Sequence, residues 1–283
     1  MMNRPSFICI SICFCLAAPV FAQPGPVGPY GVEGEARDRF AELDAQPWQE
    51  VFFDTGAGNW RDQWSLDGLK ATVSNSGQGM NFSAGPVPRE NASHAVLWTR
   101  QSFSGDLKIE YEYTRTDQAN QYVNILYIQA SGSGEEGFPK DISQWADQRT
   151  VPAMSVYWGN MHTYHISYAA YGREPVTDDY DYIRARRYRP DVLPKKNGPI
   201  LEPDSYERSG LFAPGVAHRI TVIKHGNELF MMIRNSEKEY LAHWVNTEQP
   251  PVTEGRIGLR HMYTRSARYR DFRVSIPAGE IRD

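Results

Sequence analysis

The residues best able to do chemistry in this chain are histidine, tyrosine and arginine. The sequence holds 7 His, 16 Tyr and 30 Lys plus Arg. They are concentrated in residues 155–189 and 256–273, around Trp158, His162, Tyr164, His165, Tyr168 and Tyr171, then Arg184, Arg186, Arg187, Tyr188 and Arg189, and later Arg256, Arg260 and His261. Such a set can supply the parts of a β-elimination beside an acidic group: a cation or amide to neutralise a carboxylate, a base to take the proton from the carbon next to it and an acid for the leaving oxygen. The assignment that follows is His165 as base, Tyr171 or Tyr188 as acid, and Arg260 or Arg187 as neutraliser, since a guanidinium meets a carboxylate in bidentate fashion.

Extended chain supplies the geometry, because alternate residues of a strand share a face. His162, Tyr164, Ile166 and Tyr168 are expected to face the core, and Thr163, His165, Ser167, Ala169 and Tyr171 to floor a ligand groove. Ile257, Leu259 and His261 likewise take the core side, which leaves Arg260 toward the groove beside Gly258, where a missing side chain leaves room. Tyr182, Arg184, Arg186 and Tyr188 alternate on one face and offer stacking plates and cations. Ser167, Arg186, Arg187 and Trp158 complete the expected substrate contacts with Gln129 or Asn124; these last two fall on opposite faces of a regular strand, so at most one reaches the groove.

Two other function classes remain open. Hydrolysis needs two carboxylates flanking the bond, and Glu202, Asp204 and Glu207 have a spacing found in jelly-roll glucanases. Pro203 cannot donate to a strand ladder there, so that segment reads as loop. A binding module without chemistry would stack sugars on Trp158, Tyr171 and Tyr188. His162 and His165 fall on opposite strand faces, the wrong geometry for shared metal ligation. No metal or cofactor is indicated; a structural Ca2+ stays open without a visible site.

The elements that must position these residues are strands. Residues 106–114 alternate Leu107, Ile109, Tyr111 and Tyr113 against Lys108, Glu110 and Glu112, a half-buried strand. Residues 122–130 are apolar on both sides and read as central. Short strands follow at 51–53, 69–73, 95–99, 180–189, 240–245, 256–261 and 267–276. Residues 218–224 and 228–234 flank a hairpin turn at His225-Gly226-Asn227. Residues 141–148 are the one expected mid-chain helix, capped by Asp141 and packed by Trp145. Many short strands and little helix predict an all-β sandwich or barrel.

Residues 1–22 read as a secretory signal peptide: Arg4, an apolar run from Phe7 to Ala18, and Val20-Phe21-Ala22 before the cut. The run is too short to span a bilayer comfortably. All three cysteines, Cys9, Cys13 and Cys15, lie within it. The mature chain therefore has no thiol chemistry and no disulfides, and a secreted or periplasmic protein of about 260 residues must rely on its core. Residues 23–46, rich in Pro and Gly, read as a flexible leader with at most one helical turn, and 47–283 as one domain. Cleavage leaves 29 basic against 34 acidic residues, a net charge of −5. That balance disfavours nucleic acid and anionic membrane, while the clustered arginines suit an anionic ligand. The oligomeric state stays open.

Gly255-Arg256-Ile257-Gly258-Leu259-Arg260, followed by Ala267-Arg268-Tyr269-Arg270-Asp271-Phe272-Arg273-Val274, resembles the closing strands of concanavalin A-like jelly rolls. Residues 160–170 (Asn-Met-His-Thr-Tyr-His-Ile-Ser-Tyr-Ala-Ala) and 103–113 (Phe-Ser-Gly-Asp-Leu-Lys-Ile-Glu-Tyr-Glu-Tyr) are similar to the YesU-like family over most of 49–276. The resemblance implies a jelly-roll sandwich of two antiparallel sheets and an association with breakdown of uronic-acid polysaccharides such as rhamnogalacturonan. The expected partner is thus an acidic poly- or oligosaccharide, processed by a lyase, a hydrolase or a binding protein.

Overall fold

The computed structural model describes residues 27–28, 30–171, 180–191, 200–201, 203 and 205–279. In chain order the first elements are β1 (Val27–Gly28), β2 (Gly31–Val32), helix α1 (Glu35–Asp44), β3 (Trp48–Asp54), β4 (Trp64–Asp67), β5 (Thr72–Ser76), β6 (Gly79–Ser83), β7 (Ala95–Ser104), β8 (Leu107–Arg115) and β9 (Tyr122–Gly132). A 3-10 segment, Ile142–Arg149, and helix α2 (Met154–Asn160) lead into β10 (Met161–Tyr171) and β11 (Asp181–Tyr188). The chain closes through β12 (Tyr206–Glu207), β13 (Ala217–His225), β14 (Glu228–Arg234), β15 (Glu239–Val245), β16 (Glu254–His261) and β17 (Ser266–Pro277).

Two sheets result. One runs β1-β2-β15-β14-β13-β8-β17-β6-β5, with β3 also on β17; the other runs β12-β11-β10-β9-β16-β7-β4. All pairings are antiparallel except β2 with β15. This is a sandwich, one of the two architectures that the strand pattern predicts, and the jelly roll that the resemblance implies. The alternation in β8 works as expected: Leu107, Ile109, Tyr111 and Tyr113 are buried between the sheets, while Lys108, Glu110 and Glu112 are half-buried on the other side. The β13–β14 hairpin turns at Gly226 and Asn227, where Gly226 takes φ +54°, a conformation that glycine adopts at little cost.

The interior is aromatic. Tyr111, Tyr113, Tyr168, Phe212, Tyr269 and Phe272 pack at centroid separations of 5.2–6.5 Å. Three of the four tyrosine hydroxyls are paired across the sandwich, that of Tyr111 finding no hydrogen-bond partner among the described residues: Asn124 Nδ2 donates to the Tyr113 hydroxyl at 2.6 Å, and the Tyr269 hydroxyl meets both His261 Nε2 at 2.8 Å and the Tyr168 hydroxyl at 3.2 Å. Pairing of this kind offsets the cost of burying polar atoms.

The structure departs from the sequence reading in three places. The leader expected over 23–46 contains α1, with Ala36, Phe40 and Leu43 buried on the ten-stranded sheet. Its three-residue apolar stripe is short, and only docking makes it stable. The strand expected at 69–73 begins at Thr72, and Leu69 is 61% exposed in the preceding turn. A second helix, α2, joins the 3-10 segment that Asp141 caps through Ser143 N. Together they cover the outer face of the seven-stranded sheet.

Candidate functional site

The site is built on that outer face. Strand register places residues in rows: Asp67 beside Val96, then Arg260, Ile125, Ser167 and Arg184; and Ser65 beside Trp98, then Gly258, Tyr127, His165 and Arg186. Tyr188 lies opposite Thr163 one step along. The inner face of the same strands carries Leu97, Leu259, Leu126, Ile166 and Ala185 in the sandwich core. Alternation thus separates core from site as the sequence predicts for Tyr164, Ile166 and Tyr168 against His165 and Ser167, and for Ile257, Leu259 and His261 against Arg260.

His165 is the hub. Its Nδ1 lies 2.6 Å from the Tyr188 hydroxyl and its Nε2 2.8 Å from Ser167 Oγ. Tyr127 meets the imidazole edge-on at 5.7 Å and stacks on Tyr157 of α2 at 5.9 Å and on Trp98 at 5.4 Å. Arg260 lies over the Tyr157 ring at 4.6 Å and donates from Nη2 to the Pro152 carbonyl at 2.7 Å. Its Nε and Nη1 are buried without a hydrogen bond, and so is the Tyr127 hydroxyl, which lies near Arg260 and Tyr188 without bonding geometry.

Burial dominates the electrostatics. It drives the His165 pKa well below the ordinary histidine value, and the charges of Arg186 and Arg260 push the same way. It drives the Tyr188 hydroxyl well above the ordinary tyrosine value. The imidazole is therefore neutral and the phenol protonated at neutral pH. Asp67, at the row's end, accepts from Arg149 Nε at 2.6 Å, Trp98 Nε1 at 2.7 Å and the Tyr157 hydroxyl at 3.0 Å. Burial raises its pKa, with the Arg149 charge opposing.

The structure brings His165, Ser167, Tyr188, Arg186 and Arg260 to one face, and leaves other expected site residues elsewhere. A bulge between Ser167 and Ala170, with Ala169 at φ +44°, breaks the alternation. Ala169 joins the core, and the Tyr171 hydroxyl accepts from Arg115 Nη1 and donates to the Phe212 carbonyl, away from His165. Arg187 registers with Tyr164 on the inner side and lies 5.8 Å over that ring. Asn124 is consumed in the core by Tyr113. Gln129, at φ +54°, donates to the carbonyls of Phe103, Gly105 and Thr253 and so ties turns together. Trp158 is half-buried on α2, packed against the site's apolar cluster. The space expected beside Gly258 is filled by the Trp98 indole: a Cβ there would come within 2.4 Å of it.

The groove expected over His165 is roofed. His165 is 3% exposed and Arg260 fully buried, with Tyr157 of α2 against the Arg260 guanidinium and stacked on Tyr127 beside His165. Glu202 and Asp204 lie outside the described residues, whereas Glu207 is exposed on β12. Sequence reading missed Asp67, Trp98, Tyr127, Arg149 and Tyr157. Tyr127 had a signal as the outward partner of Ile125 in an apolar strand, and Tyr157 as a member of the aromatic set over residues 155–171.

These features define a lectin-like β-sandwich. A protein of unknown function with a galectin-like fold from Bacillus subtilis aligns at TM-score 0.61 and 19% identity, over 81% of this chain and 99% of that one. The exoplasmic/lumenal domain of VIP36, bound to Ca2+ and Man3GlcNAc, aligns at TM-score 0.52 and 11% identity over 83% and 92% of the two chains. Lectin II from Ulex europaeus aligns at 0.50 and 8%, over 80% and 99%. The chain belongs to the family of the DUF1961 domain, a domain of unknown function, which matches residues 58–274. No curated protein matches it. Among the described residues no helix is long and apolar enough to cross a membrane.

Proposed function

We propose that this protein is exported, binds a uronic-acid-containing glycan on the outer face of the seven-stranded sheet, and cleaves it by β-elimination. The observation that carries the reading is the neutral His165–Tyr188 pair at 2.6 Å on the face that also holds Arg260, whose Nε and Nη1 have no hydrogen-bond partner among the described residues. Base, acid and carboxylate neutraliser are then present together. Arg260 draws the uronate carboxylate, His165 takes the C5 proton, and Tyr188 gives its proton to the leaving oxygen. A carboxylate arriving beside the imidazole raises its proton affinity at the moment it is needed. The lectin-like fold supports sugar binding, and the resemblance of residues 103–113 and 160–170 to the YesU-like family supports the uronate. The reading of residues 1–22 as a signal peptide supports a secreted or periplasmic location.

Binding without cleavage is the second reading. The near-complete burial of His165 beneath α2 favours it. Hydrolysis has less support, since Asp67 is committed to Arg149, Trp98 and Tyr157. The test is incubation of mature protein with a panel of uronic-acid polysaccharides, followed at the ultraviolet band of the unsaturated uronate. A rise that disappears in His165→Ala supports elimination. New reducing ends without that band move the case to hydrolysis. Saturable binding with neither makes the protein a glycan binder.

A further inference from the structure

Beside the roofed layer the same face opens into a cavity of about 350 Å³, lined by Ser65, Asp67 and Trp98 from β4 and β7, Arg100 and Arg256 from the sheet, and Ser143, Ala146 and Arg149 from the 3-10 segment. Its size falls in the range of roughly 300–1,000 Å³ usual for small-ligand sites. Three guanidinium groups meet here. Arg149 is spent on Asp67 at 2.6 Å. Arg256 donates to the Thr99 and Arg100 carbonyls and pairs with Asp141 at 3.0 Å, yet its Nε is buried with no partner. Among the described residues Arg100 donates only Nε, to the Arg61 carbonyl at 2.8 Å, and its side chain is exposed. Against three arginines stand two carboxylates, Asp67 and Asp141, so one positive charge is left over.

We propose that this cavity is the anchoring subsite for one carboxylate-bearing sugar of the bound glycan. The proposal rests on the acidic-glycan reading above and adds where on the face the chain is held. A single excess charge matches a monoanionic carboxylate better than a dianionic phosphate. The terminal nitrogens of Arg100 present a planar fork to it, and Ser65 and Ser143 supply hydroxyls for sugar oxygens. Trp98 forms a wall of the cavity and stacks on Tyr127, which meets His165 edge-on, so the anchored residue lies near the proposed reaction centre. The roofed layer then needs to admit only the neighbouring sugar of the same chain.

The test is calorimetric titration of mature protein with trigalacturonate, with a neutral galactose trimer and with a sulfated trimer of equal length. Two variants serve. Arg100→Gln removes the free charge at an exposed position, and Ala146→Trp fills the cavity from an exposed position of its roof; thermal melting checks that each is folded. The expected result is that trigalacturonate binds more tightly than the neutral trimer, that Arg100→Gln weakens it about tenfold, the loss of one charge-assisted contact, and that Ala146→Trp removes binding. If trigalacturonate binds wild type and both folded variants equally, the subsite is elsewhere; the proposal falls and the acidic-glycan reading stands. Tighter binding of the sulfated trimer overturns the carboxylate assignment. If wild type binds no acidic trimer at all, the subsite and the reading it rests on fall together.

Discussion

Both sheets of the sandwich have a covered outer face, and the two covers are made differently. On the ten-stranded sheet α1 lays down Phe40 against Phe230 at 6.0 Å with Ala36 and Leu43. Its ionic contacts Arg37–Glu239 at 2.5 Å and Lys108–Asp44 at 2.6 Å stand near the rim, while Arg39–Glu228 at 3.4 Å reaches a buried carboxylate that also lies 3.4 Å from the buried His243. On the seven-stranded sheet the 3-10 segment and α2 sit on tyrosines, histidine and arginine, held by a fully enclosed Arg149–Asp67 pair. Apolar burial alone stabilises a cover without further cost, whereas enclosed charges must be desolvated and paired. Both sheets enclose some charge, but only the second cover is itself held by an enclosed arginine–carboxylate pair, and it is the one that faces the candidate site. We read the first as structural and the second as retained for function.

The comparison can be broken most sharply at the enclosed ion pair. Asp67→Ala should leave Arg149 buried and unpaired and destabilise the fold by about 3–5 kcal/mol, read from the denaturant midpoint. Hydrogen exchange should then quicken in α2 while α1 stays protected; equal loosening of both would mean the covers are not independent. Phe40→Ala should cost about 3 kcal/mol through the cavity it opens. It should loosen α1 and leave glycan binding at the wild-type level, and a loss of binding would deny α1 a purely structural part.

Acid distinguishes the covers next. His165 and His94 have pKa values lowered by burial, His94 to about 2. Each contributes stability that is present above the unfolded value of roughly 6.5 and is lost as pH falls below it. At the other sheet burial lowers His218 as well, whereas His225 is raised by its 2.8 Å contact with Asp106. Its contribution is full below that unfolded value and fades as pH rises through the folded one. Lowering pH from 7 to 5 should therefore open α2 amides more than α1 amides in hydrogen exchange, after correction for intrinsic rates. No difference between the two would remove the electrostatic contrast. The smallest effect is expected for Tyr188→Phe, which deletes the hydroxyl on His165 Nδ1. It should lower stability by about 1 kcal/mol and abolish any uronate elimination; retained elimination would exclude Tyr188 as the acid.

Much of this was readable from residue order. The split of Tyr164, Ile166 and Tyr168 from His165 and Ser167, and of Ile257, Leu259 and His261 from Arg260, needed only a two-residue period. Reading failed where the period itself failed. Ala169 and Gln129 adopt positive φ, at +44° and +54°, and neither is a residue type that announces it. One such residue carried Tyr171 out of the site, and the other turned Gln129 toward the turns at Gly105 and Thr253. Residues 155–171 carry a dense aromatic set, and the helix at its start forms because Tyr157 finds Trp98 and Tyr127 beneath it.

By itself, then, the sequence determined the class of fold, the apolar alternation of its strands and which side of two central strands would carry histidine and arginine. These depend on dihedral preferences and burial of neighbours a few residues apart. Only the tertiary structure decided that the face would be roofed, that Trp98 would fill the space beside Gly258, and that Asp67 and Arg149 would meet across 82 positions of chain at 2.6 Å. Those outcomes depend on packing between distant segments, for which no local periodicity carries a signal.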